Sequence, residues 1–193
     1  STVFSTRDAT SSSTDSSRRD IDVLLTGSLN SYVYPHRKKW AEILQSTPTH
    51  LNIQILKHPG YVLRTEKEAE QQLLQYSDLL QRSKIVIVTP SVFGMSLAKY
   101  VEAQMAGALI VGGGMLPFER SGGYFDSFVI NLNVDNTKPQ TLMEQLEWWV
   151  AHPEERLKKT RAGKAHAMRQ TWFNWLEWMR DTVVMYQKGR RGR

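Results

Sequence analysis

The amino-acid sequence predicts an α/β fold: a Rossmann-like open parallel sheet of about five strands with helices on both faces, followed by extra C-terminal helices. Three observations lead there. Short β-rich apolar runs alternate along the chain with segments of helical periodicity. The runs lack the polar alternation of a half-exposed strand, which marks strands covered on both faces. The composition, 193 residues with 40% hydrophobic side chains and no cysteine, suits one domain that buries a core without disulfide staples.

In order along the chain, IDVLLTG (21–27) reads as a buried strand ending in glycine, and the loop SLNSYVYP follows it. HRKKWAEILQS (36–46) places Trp40, Ile43 and Leu44 on one helical face, and LNIQILK (51–57) is the second strand. After a Pro-Gly turn, HPGY (58–61), the segment 65–83 is helical, with Leu73, Leu74, Leu79 and Leu80 expected to face inward. KIVIVTPS (84–91) is a third strand. GMSLAKYVEAQMAG (94–107) is a helix whose Gly107 stands where a left-handed C-cap belongs, and ALIVGG (108–113) and FVINLN (128–133) complete the sheet. Helices are predicted over 139–151, over 153–169 from Pro153 at a first-turn position, and over 172–187.

The flanks differ in composition. Residues 1–20 hold 11 Ser or Thr and only Val3 and Phe4 as large apolar residues, so they read as a linker or docked arm. Residues 21–152 form the Rossmann-like domain, and 153–193 form helices and a basic tail that pack on it or on a further N-terminal domain. The net charge of +6 is local: residues 1–152 carry 14 basic and 15 acidic side chains, and 153–193 carry 11 basic and four acidic ones. Without cysteine, and with five histidines at no ligand spacing, neither thiolate nor metal chemistry is expected. The longest weakly polar run, 105–118, is broken by four glycines and a proline, so no transmembrane segment is expected. No signal peptide is visible either, which points to the cytoplasm unless a longer chain carries a targeting segment.

In open parallel sheets ligands bind outside the carboxyl ends of the strands. The informative positions are therefore Gly27-Ser28, His58-Pro59-Gly60, Thr89-Pro90-Ser91, Gly112 to Gly114 and Asn131 to Asn133. The backbone N–H groups of Gly94, Met95 and Ser96, at a helix start, suit a phosphate. Glu102, one to two turns further along, suits a pair of ribose hydroxyls or is simply a solvated helix residue. Arg37 suits a phosphate oxygen, or else Arg37, Lys38 and Lys39 are all surface cations. His58 touches a base or sugar, or is a structural turn residue, and Tyr61 is similar. The glycines 112–114 are not followed by a helix carrying GxGxxG, so a dinucleotide motif is rejected. They suit a backbone lying near a donor sugar, with ERSGGYFD as a possible lid.

The stretch TPSVFGMSLAKYVEAQMAGALIVGG (89–113) resembles the donor-binding segment in the C-terminal domain of GT-B glycosyltransferases, whose "PS…G…EA.A.G…V" pattern precedes a strand. IDVLLTGS, YPHR with Arg37, YSDLLQRSKIVIVTPS and YVEAQMAGALIV together resemble the spore-maturation-protein-like, group 1 type, over about residues 20–175. The resemblance implies a nucleotide diphosphate sugar as donor substrate, with no cofactor or metal. Gly27, Ser28, Arg37, His58, Ser91, Gly94, Met95, Ser96 and Glu102 would then lie around that donor, with Glu102 on the ribose. This chain lacks the "GR…KG" arrangement of many GT-B enzymes, which leaves open which cation neutralises the phosphate. Those enzymes need two Rossmann-like domains, and one sheet is present here, so an N-terminal domain with the acceptor is expected elsewhere. Acceptor, sugar and base are not implied.

A different class of function is a non-catalytic α/β interaction module docking on nucleic acid or an acidic partner through its basic C-terminus. It would show salt-dependent binding lost on deleting 188–193. The aromatic band Trp172 to Met179 among basic residues suits base stacking, but no known RNA-binding motif accompanies it, so nucleic acid is the weaker partner. A response-regulator-like or flavodoxin-like fold would need an acidic cluster or phosphate loop after the first strand, which the chain lacks.

Overall fold

The computed structural model describes residues 19–57, 65–93, 98–112 and 127–169. Five strands, β1 (Ile21–Gly27), β2 (Ile53–Lys57), β3 (Ser83–Ile87), β4 (Leu109–Gly112) and β5 (Val129–Asn131), form one sheet in the order β2-β1-β3-β4-β5. Every pairing is parallel, with Val23 opposite Ile53 on one side and Ile85 on the other. The helices are α1 (Pro35–Ser46), α2 (Glu66–Arg82), α3 (Ala98–Met105), α4 (Pro139–Ala151) and α5 (Pro153–Arg169). The predicted Rossmann-like α/β sheet is therefore the observed one.

The chain steps from β1 to β2 in one direction and then returns across β1 to β3 and β4. Right-handed crossovers must then place α1 on one face and α2 and α3 on the other. The core divides accordingly. Trp40, Leu44, Leu142 and Met143 from α1 and α4 cover one face with Val23, Leu25 and Ile85. Leu79, Leu80, Tyr100 and Ala103 from α2 and α3 cover the other with Leu24, Val86 and Ile110. Both faces of β1 are thus apolar, which is why its sequence shows no alternation.

Helix ends follow local chemistry. Thr65 and Glu68 form a reciprocal capping box at the start of α2, at 3.3 and 3.1 Å. Gly107, at φ +75°, closes α3 as expected: its N–H donates to Gln104 O and that of Ala108 to Ala103 O. One expectation fails. Leu79 and Leu80 are buried, but Leu73 and Leu74 are 49% and 50% exposed. A 17-residue helix is about 25 Å long, against about 16 Å for the five-residue β3 and about 23 Å for the seven-residue β1 on which it packs. The first turns of α2 therefore extend past the carboxyl end of β3 and leave these leucines without a core to enter.

At the opposite edge, Arg19 donates to Ser83 O and to Ala106 O (2.7 Å), Asp20 pairs with Arg82, and Asp22 with Lys84 (2.6 Å). The entry into β1 is held by these contacts. The linker or docked arm expected over 1–20 otherwise lies outside the described residues, as does the helix expected over 172–187.

Helix α5 packs on α3 at Gly163, where a Cβ would lie 3.3 Å from Gln104 Cγ. His166 stacks on Phe128 at 4.7 Å, and its Nδ1 lies 2.9 Å from Gln104 Oε1. Burial, helped by Arg169, holds the imidazole below its ordinary pKa of 6.5. The unfolded chain therefore takes the proton first. Stability is full above pH 6.5 and falls as pH drops through the lower, folded value. Urea denaturation at pH 7.5 and 5.0 should show a smaller pH difference for His166→Phe, which keeps the stack, than for the wild type. Equal differences would remove His166 as the cause.

Candidate functional site

The sheet order reverses between β1 and β3, and the crevice above their carboxyl ends is the topological switch point. This order also serves flavodoxin-like folds, so it locates a site without naming its chemistry.

Two loops meet there. After β1, Asn30 accepts from Tyr32 N–H through its side chain and from Val33 and Tyr34 N–H through its carbonyl, turning the chain into Pro35 at the head of α1. After β3, Val92 N–H donates to Val33 O at 2.9 Å and joins the second loop to the first. Tyr32 and Phe93 stand on this rim, 90% and 72% exposed.

Arg37 lies between the loops, only 2% exposed. It donates from Nη1 to Ser28 O at 3.3 Å and from Nη2 to Thr89 O at 3.1 Å, with its guanidinium 4.0 Å from the Tyr34 ring centre. It is no open surface cation. The structure makes it a brace across the switch point, and its charge acts on the crevice from within the protein.

Gly27, at φ +115°, completes the packing. A Cβ there would sit 2.7 Å from Arg37 Nη1 and 3.5 Å from Lys99 Cε, so the glycine lets both cations close on the end of β1. Lys99 Nζ donates to Thr26 Oγ1 at 3.1 Å and lies 4.3 Å from the Tyr76 ring centre. Tyr76 OH donates to Glu102 Oε2 at 2.8 Å. Burial and then the Glu102 carboxylate push the Tyr76 hydroxyl well above the ordinary tyrosine range, so it remains a donor. Burial lowers the Lys99 pKa, Glu102 opposes that, and Arg37 adds to it. Among the described residues the half-buried cluster therefore holds two cations, Arg37 and Lys99, and one carboxylate, Glu102.

Ser91 is 7% exposed, and its Oγ and that of Thr89 have no hydrogen-bond partner among the described residues. Buried hydroxyls left so cost about 1–3 kcal/mol each, which an incoming acceptor would offset at Ser91, whereas Thr89 is wholly enclosed. Ser28 Oγ accepts from Asn30 N–H at 3.3 Å. Of the residues expected around a ligand, Gly27, Ser28, Arg37, Ser91 and Glu102 are therefore gathered at one crevice. His58, Tyr61, Gly94, Met95, Ser96 and the segment 119–126 lie outside the described residues.

Sequence reasoning missed Lys99 and Tyr76. Lys99 stands three residues before Glu102 on α3, a spacing that puts both on one face. Tyr76 continues the inward stripe of Leu79 and Leu80 at three- and four-residue spacing, and a hydroxyl on that stripe needs a partner.

Among solved structures the chain is similar to the pneumococcal O-GlcNAc transferase GtfA, whose structure was determined in complex with UDP and GlcNAc. The match has a TM-score of 0.51 at 17% identity over 89% of this chain. The likeness is one of fold. The chain spans only 37% of the length of that transferase. It also aligns with the glycotransferase of kitacinnamycin, with 12% identity and a TM-score of 0.46 over 86% of this chain and 45% of that one. No protein-family model matches the sequence, and no curated protein matches it. Among the described residues no helix is long and apolar enough to cross a membrane.

Proposed function

We propose that the chain is the nucleotide-sugar-binding domain of a GT-B-type glycosyltransferase, taking its donor at the switch point between β1 and β3. The carrying observation is the charge cluster there: Lys99 on Thr26 and Arg37 behind Gly27, beside Glu102. Two cations against one carboxylate favour a dianionic diphosphate. Glu102 accepts from ribose hydroxyls, and the Ser91 hydroxyl donates to a phosphate oxygen. The sequence pattern around 89–113 and the fold shared with GtfA support this reading. The spore-maturation-like subtype belongs to the same proposal and rests on the sequence motifs alone.

In the transfer, the bond between the anomeric carbon and the β-phosphate oxygen breaks, and its electron pair leaves with the diphosphate. Lys99 and the field of Arg37 stabilise that departing charge without a metal. The acceptor oxygen bonds to the anomeric carbon and gives its proton to a base on a domain outside this chain.

Titration calorimetry with UDP- and GDP-sugars tests the reading. One of them should bind the wild type, and Glu102→Ala should weaken it about tenfold or more, the value of a charge-assisted hydrogen bond. No heat from any of them, or an unchanged affinity for the variant, would count against the proposal.

A further inference from the structure

Glu102 and Lys99 both touch one further side chain, Tyr76, through different parts of it. The hydroxyl donates to Glu102 Oε2 at 2.8 Å, and the ring lies 4.3 Å from Lys99 Nζ. Tyr76 comes from α2, which otherwise contributes to the sheet through Leu79 and Leu80. We propose that Tyr76 is the positioning residue of this site: its hydroxyl sets the Glu102 carboxylate for ribose, and its ring sets the Lys99 ammonium for phosphate. This rests on the donor-binding reading above.

The physical argument is preorganisation. A glutamate and a lysine on a helix surface each have several rotamers, and a ligand that orders them loses affinity by that amount. Tyr76 orders both before the ligand arrives. Burial and the neighbouring carboxylate raise the hydroxyl's pKa, so it stays protonated and remains the donor of the pair. The ring offers its negative face to the ammonium, and Thr26 Oγ1 holds the same ammonium at 3.1 Å. The hydroxyl also bonds Thr26, but the ring contact with Lys99 is separate, so Tyr76→Phe removes the Glu102 contact and keeps the ring, and Tyr76→Leu removes both.

The test is calorimetry on the folded chain with three probes: UDP or GDP, its 2′,3′-dideoxy analogue, and inorganic pyrophosphate. Tyr76→Phe should bind the nucleoside diphosphate about tenfold more weakly, keep pyrophosphate within about twofold, and lose most of the wild-type preference for the ribose form over the dideoxy form. Tyr76→Leu should in addition weaken pyrophosphate about fivefold. If that variant does not fold, Tyr76→Phe decides alone. Nucleotide affinity unchanged in Tyr76→Phe overturns the inference, and so does an equal loss for nucleotide and pyrophosphate, the mark of a merely structural role. A wild type that binds no probe overturns the donor-binding reading together with this one. A wild type that binds, paired with an indifferent Tyr76→Phe, overturns this one alone.

Discussion

Arg37→Leu is expected to lose about 3 kcal/mol of stability and to abolish the proposed nucleotide binding. The guanidinium is buried, and it supplies the donors that Ser28 O and Thr89 O accept. Leucine fills part of the volume and leaves both carbonyls without those donors, each at about 1–3 kcal/mol. It also removes the Arg37 hydrogen bonds that link the loops after β1 and β3, which the Val92–Val33 hydrogen bond joins as well. Arg37→Lys separates charge from geometry: it keeps the cation, but an ammonium on a single stem does not span two carbonyls as the planar fork does. That variant should lose about 1–2 kcal/mol and retain weakened binding. Urea denaturation and calorimetry check both variants. Arg37→Leu within 0.5 kcal/mol or so of the wild type would mean that the brace carries no weight.

Gly112→Ala should be more damaging still, at about 4 kcal/mol or beyond. The glycine ends β4 at φ +156°, and a Cβ there would lie 1.9 Å from Val88 O, a main-chain atom of the neighbouring chain segment. Val88 N–H is itself bonded to Val111 O at 2.9 Å, so the overlap is relieved only by separating backbone at the carboxyl edge of the sheet. Gly27→Ala is the informative comparison. Its nearest obstacle is the end of the Arg37 side chain, which can shift, so it should cost about 1–2 kcal/mol while displacing the brace from the crevice. Thermal melts of the two variants should rank Gly112→Ala well below Gly27→Ala. The reverse order would refute the backbone-overlap argument, and an insoluble Gly112→Ala beside a soluble Gly27→Ala agrees with it.

Much of this protein was legible from local pattern. Strands β1, β2, β4 and β5 and the helices α1, α2, α4 and α5 fall within a residue or two of their predicted bounds, because periodicity and turn chemistry are properties of neighbouring residues, whereas β3 ends at Ile87, four residues short of the predicted Ser91. Gly107 at the end of α3 was legible for the same reason, and so were the strand-end loops that carry Ser28 and Ser91 and the helix start that carries Arg37. Leu73 and Leu74 misled, because a stripe records which face of a helix is apolar and not how far the sheet beneath it extends.

The sequence by itself thus determined the fold class, the strand-end loops and the acidic residue Glu102 on the helix that follows the third strand. Only the tertiary structure decided what those residues touch. Tyr76 and Glu102 are 26 positions apart, Thr26 and Lys99 are 73, and Arg37 and Thr89 are 52. Such partners meet because β1 lies between β2 and β3, which brings the end of the first strand beside the end of the third and under α2 and α3. That order comes from the handedness of the crossovers and the burial of both sheet faces, which are long-range packing terms that no local window contains. The same packing turned Arg37 from a cation at a helix start into a buried brace, and left Lys99 as the ammonium beside Glu102.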